Sequence, residues 1–312
     1  MRALQYEEFG GIDMLQWNEV NIPNPSIGQI VINIRSASLN PTDSKIRSGE
    51  LRFPGPENFP RTMGMDFSGT VLKVGEGVFN FKQGDNVMGY LGASGGAFAD
   101  FALADAKNTF QMPENLTFEE ATTLPMNAAT ALKVTANYLK PKPGKTILVN
   151  GASGGIGLFA VQYCLLAGAK VSGTASGEES VSILKSLGLY EIIDYKQQNI
   201  LESDKKWDAI LDTSGKLDFK DAKTLLTENG EFSTMVPNAA PGTPGRTDGG
   251  KKEFSVFAIP DSEEFSISQK LASEGKIKTF VGKKFPMVEA IKALSQFESG
   301  KMNITGKIVL TQ

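Results

Sequence analysis

The chain has 312 residues, 40% of them hydrophobic and 21% charged, with 32 basic against 35 acidic side chains, one cysteine and no histidine. That length implies about two domains of ordinary globular composition and excludes disorder, collagen and disulfide scaffolds. A formal net charge of −3 gives no electrostatic basis for a nucleic-acid or anionic-membrane partner, which needs clustered Lys and Arg.

Without histidine the chain has no imidazole metal site, Ser-His-Asp triad or imidazole proton shuttle, and one cysteine makes neither an internal disulfide nor a four-thiolate zinc site. Cys164 lies within the apolar run 158–169 and reads as a core residue. Residues 1–11 are charged and lack an apolar signal core, and no uninterrupted apolar stretch reaches the ~18 residues of a membrane span. A cytoplasmic protein without a membrane partner is expected.

From residue 29 to about 111, short β-rich segments (30–34, 67–74, 86–91, 98–103) alternate with Gly-rich or Pro-rich breaks, which predicts a compact, mostly β domain. At Thr117, with Glu120 three residues on, a capping-box signature opens a helical pattern that runs through Leu139 and is split in two by Pro125. The domain boundary is placed near Pro113: residues 1–113 form the first domain and 114–259 the second.

After residues 141–144 (PKPG) the chain reads strand 146–150, glycine turn, helix 156–167, strand 170–174, helix 178–187, strand 191–194, strand 209–212, helix 219–228 and strand 231–236. Strands alternating with helices at this spacing predict βαβ units, an α/β fold with a doubly wound parallel sheet. Residues 238–252 (NAAPGTPGRTDGGKK) read as a loop, either a lid or a surface excursion. A strand at 254–259, two helices near 262–274 and 288–299 and a strand at 306–310 close the chain. The strand 254–259 offers an edge through which a second copy would pair into a homodimer.

Ala152-Ser153-Gly154-Gly155-Ile156-Gly157 follows a strand directly and opens an apolar helix, the context that turns a glycine pattern into a dinucleotide site. Gly154 lets the backbone approach a pyrophosphate, Gly157 lets the helix pack on the sheet, and the helix N-terminus offers N–H groups to the anion. Ala152 replaces the first glycine of the usual pattern. The alternative is a tight turn without ligand. The second strand ends in Thr174-Ala175-Ser176-Gly177, with no carboxylate at its tip to hold a free ribose 2′-hydroxyl. Ser176 as donor and Lys196 as cation would accommodate a 2′-phosphate, so NADPH is preferred and NADH is not excluded. Glu178 and Glu179 oppose this preference if they face the phosphate; otherwise they stabilise a helix N-terminus.

Together with residues 39–43 (LNPTD), 64–69 (GMDFSG), 74–78 (VGEGV), 84–87 (GDNV) and 305–310 (TGKIVL), these motifs resemble the medium-chain dehydrogenase/reductase superfamily. Within it, the chain is similar to the zinc-free quinone oxidoreductase branch, which includes plant chloroplast-envelope homologues that reduce enones. The resemblance implies a GroES-like catalytic domain, a Rossmann nucleotide-binding domain and a C-terminal segment (260–312) that returns to complete the first domain. Zinc-dependent relatives carry Cys where this chain has Asn40, His where it has Met65, and a further Cys near Met126 or Asn127, so the resemblance implies no zinc.

Reduction of an activated double bond asks for orientation, a dry pocket and a few hydrogen-bond donors around a bound nicotinamide. A small-molecule quinone or enone substrate is therefore expected. Asn40 is either a donor to the substrate oxygen or a backbone cap before Pro41, and Lys45 is either a second polar group of the pocket or a solvated surface charge. Asp43 and Asp66 are read as fixing local loops, since no neighbour in sequence would raise either carboxyl. By resemblance, Thr130 lies near the nicotinamide, Tyr195 flanks the adenosine phosphate and Lys307 reaches the cofactor, with an ordinary strand-end lysine as its alternative. Thr213 and Ser214, at the carboxyl end of their strand, line the cofactor groove. Another class of function stays open: a cofactor-binding redox sensor or structural protein with little turnover.

Overall fold

The computed structural model describes residues 1–53, 57–235, 245, 247–256 and 261–312. They form two compact units, Met1–Met126 with Asp261–Gln312, and Asn127–Pro260. Among the described residues no helix is long and apolar enough to cross a membrane.

The first unit is organised on the strand Gln29–Ser38. Ile30, Ile32 and Ile34 are fully buried while Asn33 and Arg35 are exposed, the period-two pattern of a strand with one face on a core. Its sheet runs Val281–Pro286, Lys307–Thr311, Gln29–Ser38, Asp66–Val74, Asn86–Tyr90, Thr109–Gln111, with Phe101–Asp105 also paired to Gln29–Ser38. A three-stranded antiparallel sheet of Gln16–Glu19, Arg2–Tyr6 and Arg61–Thr62 completes the β structure. Phe67, Phe98, Leu4 and Leu310 join the isoleucines in one core; burying each such side chain stabilises the unit by about 1.5–3 kcal/mol.

The C-terminal strand pairs antiparallel with Gln29–Ser38, Leu310 opposite Ala37 and Val309 opposite Ser38. This pairing carries residues from the far end of the chain to the start of the helix Pro41–Ser48. Pro41 stands at the first helical turn, where its missing N–H costs nothing, and Gly49 ends the helix at φ +79°.

The second unit holds a sheet in the order Glu191–Asp194, Lys170–Ala175, Thr146–Asn150, Trp207–Asp212, Leu226–Thr234, Lys251–Ser255, Thr247–Asp248. All pairs are parallel except the last. The chain winds outward in one direction from Thr146–Asn150 and then in the other from Trp207–Asp212, so the sheet is doubly wound, a Rossmann arrangement with its switch point between those two strands. The helix Gly155–Leu166 is buried along most of its length, Cys164 included, which suits a helix with apolar residues all round.

Four expectations are corrected. The compact units change over after Met126 rather than near Pro113, and the capped helix Phe118–Ala121 stays with the first unit, where the Ser68 hydroxyl donates to the Phe118 carbonyl at 2.6 Å. The helix expected over 219–228 runs Phe219–Ala222, tightens into a 3-10 turn over Lys223–Leu225 and gives way to the strand Leu226–Thr234. Leu226 enters the sheet opposite Trp207, and that pairing ends the helical path. Within the expected loop 238–252, Thr247–Asp248 and Lys251–Ser255 form a hairpin around Gly249 and Gly250, both at positive φ as such a turn demands; residues 238–244 and 246 lie outside the described residues. The strand expected at 254–259 runs Lys251–Ser255, paired in parallel with Glu231–Thr234 on one side and with Thr247–Asp248 on the other at Lys251 and Lys252; 257–259 lie outside the described residues, as does Val236.

Candidate functional site

In the second unit, the glycine turn follows Thr146–Asn150 at the switch point of the sheet. Gly151 takes φ +83°, and a Cβ on it would lie 2.6 Å from the Thr213 hydroxyl. This residue, just before the Ala152 that breaks the usual pattern, supplies the left-handed turn. Gly157 lies against the turn's own backbone, 2.2 Å from the Gly151 carbonyl to where a Cβ would sit. Gly154 differs. It caps the helix Gly155–Leu166 in extended conformation (φ −79°, ψ 172°), and an added Cβ would meet nothing closer than the Gly151 carbonyl at 3.4 Å. Neither backbone strain nor packing requires glycine there, and the bare backbone leaves room for a ligand to approach.

A hydrogen-bond network that ends on the Asp212 carboxylate holds the turn. The Thr174 hydroxyl accepts from Gly151 N at 2.9 Å and donates to the Asn150 side-chain oxygen at 2.6 Å, while Ala152 N donates to the Thr174 carbonyl. The Asn150 amide donates to Asp212 at 2.9 Å and to the Ser214 hydroxyl at 3.0 Å. Ser214 donates to Asp212 through its N–H and its hydroxyl, and the Thr213 hydroxyl donates to the Asn150 and Gly151 carbonyls. Ala152, Ser153, Gly154, Gly155, Ile156, Gly157, Thr174, Thr213 and Ser214 are thus brought together at the carboxyl edge of the sheet.

Ser176 is buried just beyond the second strand, and the Tyr195 N–H donates to the Ala175 carbonyl at 3.2 Å. The Tyr195 ring is half-exposed, and Lys196, also exposed, is held through its N–H by Asp194. Glu178 and Glu179 form the first turn of the helix Glu178–Ser186, where they complement its dipole. Thr130 is buried within the helix Leu124–Val134. Gly151, Asn150 and Asp212 escape motif reasoning. The signal available for the last two is their strand-end position, which the parallel register turns into direct opposition.

The first unit holds a different cluster. Asn40 precedes the helix Pro41–Ser48 and is buried. Its amide nitrogen donates to Asp66 Oδ2 at 2.9 Å, and its side-chain oxygen accepts from the Lys307 ammonium at 2.8 Å. Lys307 also donates to the Leu39 carbonyl. Asp66 further accepts from the Ser38 hydroxyl at 2.9 Å and from Met126 N at 3.1 Å. Asp43 accepts from Asn40 N at 2.8 Å through one oxygen, and its other oxygen is buried with no partner among the described residues.

Burial pushes the Asp43 carboxyl up to about 7 and raises that of Asp66 as well, the latter against the pull of the Lys307 charge. Burial brings the Lys307 ammonium down to about 8, opposed by Asp66 and Asp43. The expectation that neither carboxyl is raised is therefore corrected: desolvation does it, and desolvation leaves no mark among sequence neighbours. Lys307 spends its ammonium on Leu39 and Asn40. Lys45 pairs with Glu50 at 3.0 Å on a half-exposed face of its helix, the solvated alternative.

Zinc does not fit this donor set. Asn40, Met65 and Met126 offer neither thiolate nor imidazole, and the Asn40 oxygen already accepts from an ammonium. Among the described residues no three His, Cys, Asp or Glu side chains are grouped to hold a metal. A dinucleotide does fit the glycine turn, whose bare Gly154 backbone and helix N-terminus suit a pyrophosphate.

The family described as alcohol dehydrogenase GroES-like domain matches residues 26–114, and that described as zinc-binding dehydrogenase matches residues 187–310. The chain is 34% identical over 325 aligned positions to a chloroplast envelope quinone oxidoreductase homolog of Arabidopsis thaliana, covering 99% of this chain and 98% of that protein. A solved quinone oxidoreductase of Coxiella burnetii superposes with a TM-score of 0.84 at 29% identity, covering 100% and 99% of the two chains. The Escherichia coli quinone oxidoreductase complexed with NADPH shares the fold, with a TM-score of 0.85 over the full length of both chains at 23% identity. With both units, the motif order and full-length relatives in agreement, the chain belongs to the quinone oxidoreductase branch of the medium-chain dehydrogenase/reductase superfamily and is an oxidoreductase.

Proposed function

We propose that this chain is a zinc-independent reductase that uses NADPH to reduce a quinone or an α,β-unsaturated carbonyl. The observation that carries this reading is Gly154: at the switch point of a parallel sheet, the backbone is bare where no contact within the protein demands it. A bound reduced nicotinamide supplies the hydride. The chain's own residues hold and orient. N–H groups at the start of the helix Gly155–Leu166 face the pyrophosphate, and the Thr174, Thr213 and Ser214 bonds keep the turn rigid before the coenzyme arrives.

The 2′-phosphate preference is supported by the residues just beyond the strand Lys170–Ala175. Ser176, not a carboxylate, stands at its tip, and Lys196 lies past the end of the adjacent strand, whose neighbouring Tyr195 N–H meets Ala175. Zinc independence is supported by the donor chemistry around Asn40, and the relatives' names support the quinone as acceptor.

Side-by-side titration of NADPH and NADH, with NADPH oxidation then measured on a quinone and enone panel in the presence of a strong chelator, tests all of this. Tighter NADPH binding and chelator-resistant turnover are expected. Stoichiometric zinc lost with activity would overturn the zinc-free assignment. Coenzyme binding without turnover on any acceptor would favour a sensor.

A further inference from the structure

Two buried carboxylates in one small region of the first unit need compensation, because an uncompensated charge inside a protein is strongly destabilising. Asp66 has no exposed surface and Asp43 is 3% exposed. Asp66 is met by three hydrogen-bond donors, all of them neutral. The cation is Lys307, 6% exposed, delivered from the far end of the chain by the pairing of Lys307–Thr311 with Gln29–Ser38.

Its ammonium donates to two oxygens, the Leu39 carbonyl and the Asn40 side-chain oxygen. Asn40 thereby lies between charges, its N–H on the Asp66 carboxylate and its C=O on the ammonium. Only one flip of the carboxamide satisfies both, since the reverse flip would set an oxygen against a carboxylate and an NH2 against an ammonium. The field of the pair also runs along the amide dipole and strengthens it.

We propose that Lys307 is a positioning residue that supplies the positive charge of this cluster, its ammonium balancing the buried Asp66 carboxylate through the Asn40 carboxamide between them and locking that carboxamide in a single orientation. Asn40 and Met65 offer neither thiolate nor imidazole, so the charge of this cluster comes from an ammonium bonded to two oxygens. Burial brings the Lys307 ammonium down to about 8, so it still carries its charge at neutral pH.

The test is a charge-balance cycle read first without coenzyme. Lys307→Met strands the Asp66 carboxylate and lowers the thermal midpoint by roughly 10 °C. Adding Asp66→Asn to it removes the stranded charge and recovers at least half of that loss, and Lys307→Arg stays near the parent midpoint. The kinetic readouts come second and rest on the reductase reading. In Lys307→Met the kcat with the best quinone falls tenfold or more while the NADPH Kd changes less than threefold, and Lys307→Arg restores most of the kcat. A double variant as unstable as Lys307→Met overturns the proposal, because the lysine then merely fills space. An NADPH Kd that weakens in step with kcat also overturns it, because Lys307 then acts on the coenzyme. If no acceptor supports turnover, the reductase reading fails while the coenzyme-free cycle still decides the claim.

Discussion

The glycine turn at residues 151–157 is held by backbone groups, hydroxyls, one amide and the Asp212 carboxylate, whereas the cluster around Asn40 buries two carboxylates and an ammonium. Both lie at the end of a strand and the start of a helix. The turn is shaped by side chains that are missing, so its recognition chemistry lies in exposed N–H groups and in space. The cluster is shaped by charges that are present, so its energetics depend on protonation and on partners brought from the far end of the chain. A site made of absences should break when an atom is added; a site made of charges should break when one is removed or titrated.

The sharpest contrast lies within the turn. Gly157→Val should cost the second unit its native packing, since a Cβ would lie 2.2 Å from the Gly151 carbonyl and neither piece of backbone yields easily. Little folded protein, or a midpoint lowered by more than about 10 °C, is expected in thermal unfolding. Gly154→Val should fold with a near-parental midpoint yet lose NADPH affinity by roughly a hundredfold or more, because its side chain enters only the ligand's space. Unchanged affinity in that folded variant would falsify the turn's assignment.

On the charged side, Asp43 gives a signed pH effect. Its folded carboxyl titrates near 7 against about 4 when unfolded, so the folded state binds the proton more tightly. The stability of the parent minus that of Asp43→Asn should be greatest below pH 4, fall by a few kcal/mol between pH 4 and 7, and stay flat above. Lys307, lowered to about 8, acts oppositely, adding stability as pH rises from about 8 to 10.5. Denaturant titrations across pH check both, and a difference curve that rises between pH 4 and 7 would reverse the assignment.

The smallest effect belongs to the neutral part of the turn's network. Thr174→Val leaves Gly151 N and the Asn150 oxygen without their shared hydroxyl at a buried position, a loss of about 1–3 kcal/mol. Coenzyme affinity should weaken severalfold, less than for Gly154→Val, because the turn loosens without being blocked. Calorimetric titration beside thermal unfolding separates the two losses.

The glycine turn was legible because its information is local: a strand, a run of glycines and an apolar helix sit within about a dozen residues, and backbone geometry ties each type to its place. The same locality made the alternation of strands and helices readable from residue 146 onward, and it exposed the capping box at Thr117 and Glu120, which the structure retains. Reading failed where tertiary context overrides local pattern. The helix expected at 219–228 yields to a strand at Leu226, where the chain pairs with Trp207 in the sheet. Nothing near residue 307 in the sequence announces that its ammonium meets Asn40.

By itself the sequence determined the absence of imidazole and of more than one thiol, the place of the glycine turn and the alternation of strands and helices in the second unit, because residue type and short-range spacing decide these. Only the tertiary structure decided that Gly151 provides the turn, that Asn150 and Asp212 brace it, and that Asn40, Asp43, Asp66 and Lys307 share one buried network. Burial and the meeting of residues more than 260 positions apart arise only when the sheet closes, and burial raises the carboxyls and selects the Asn40 flip.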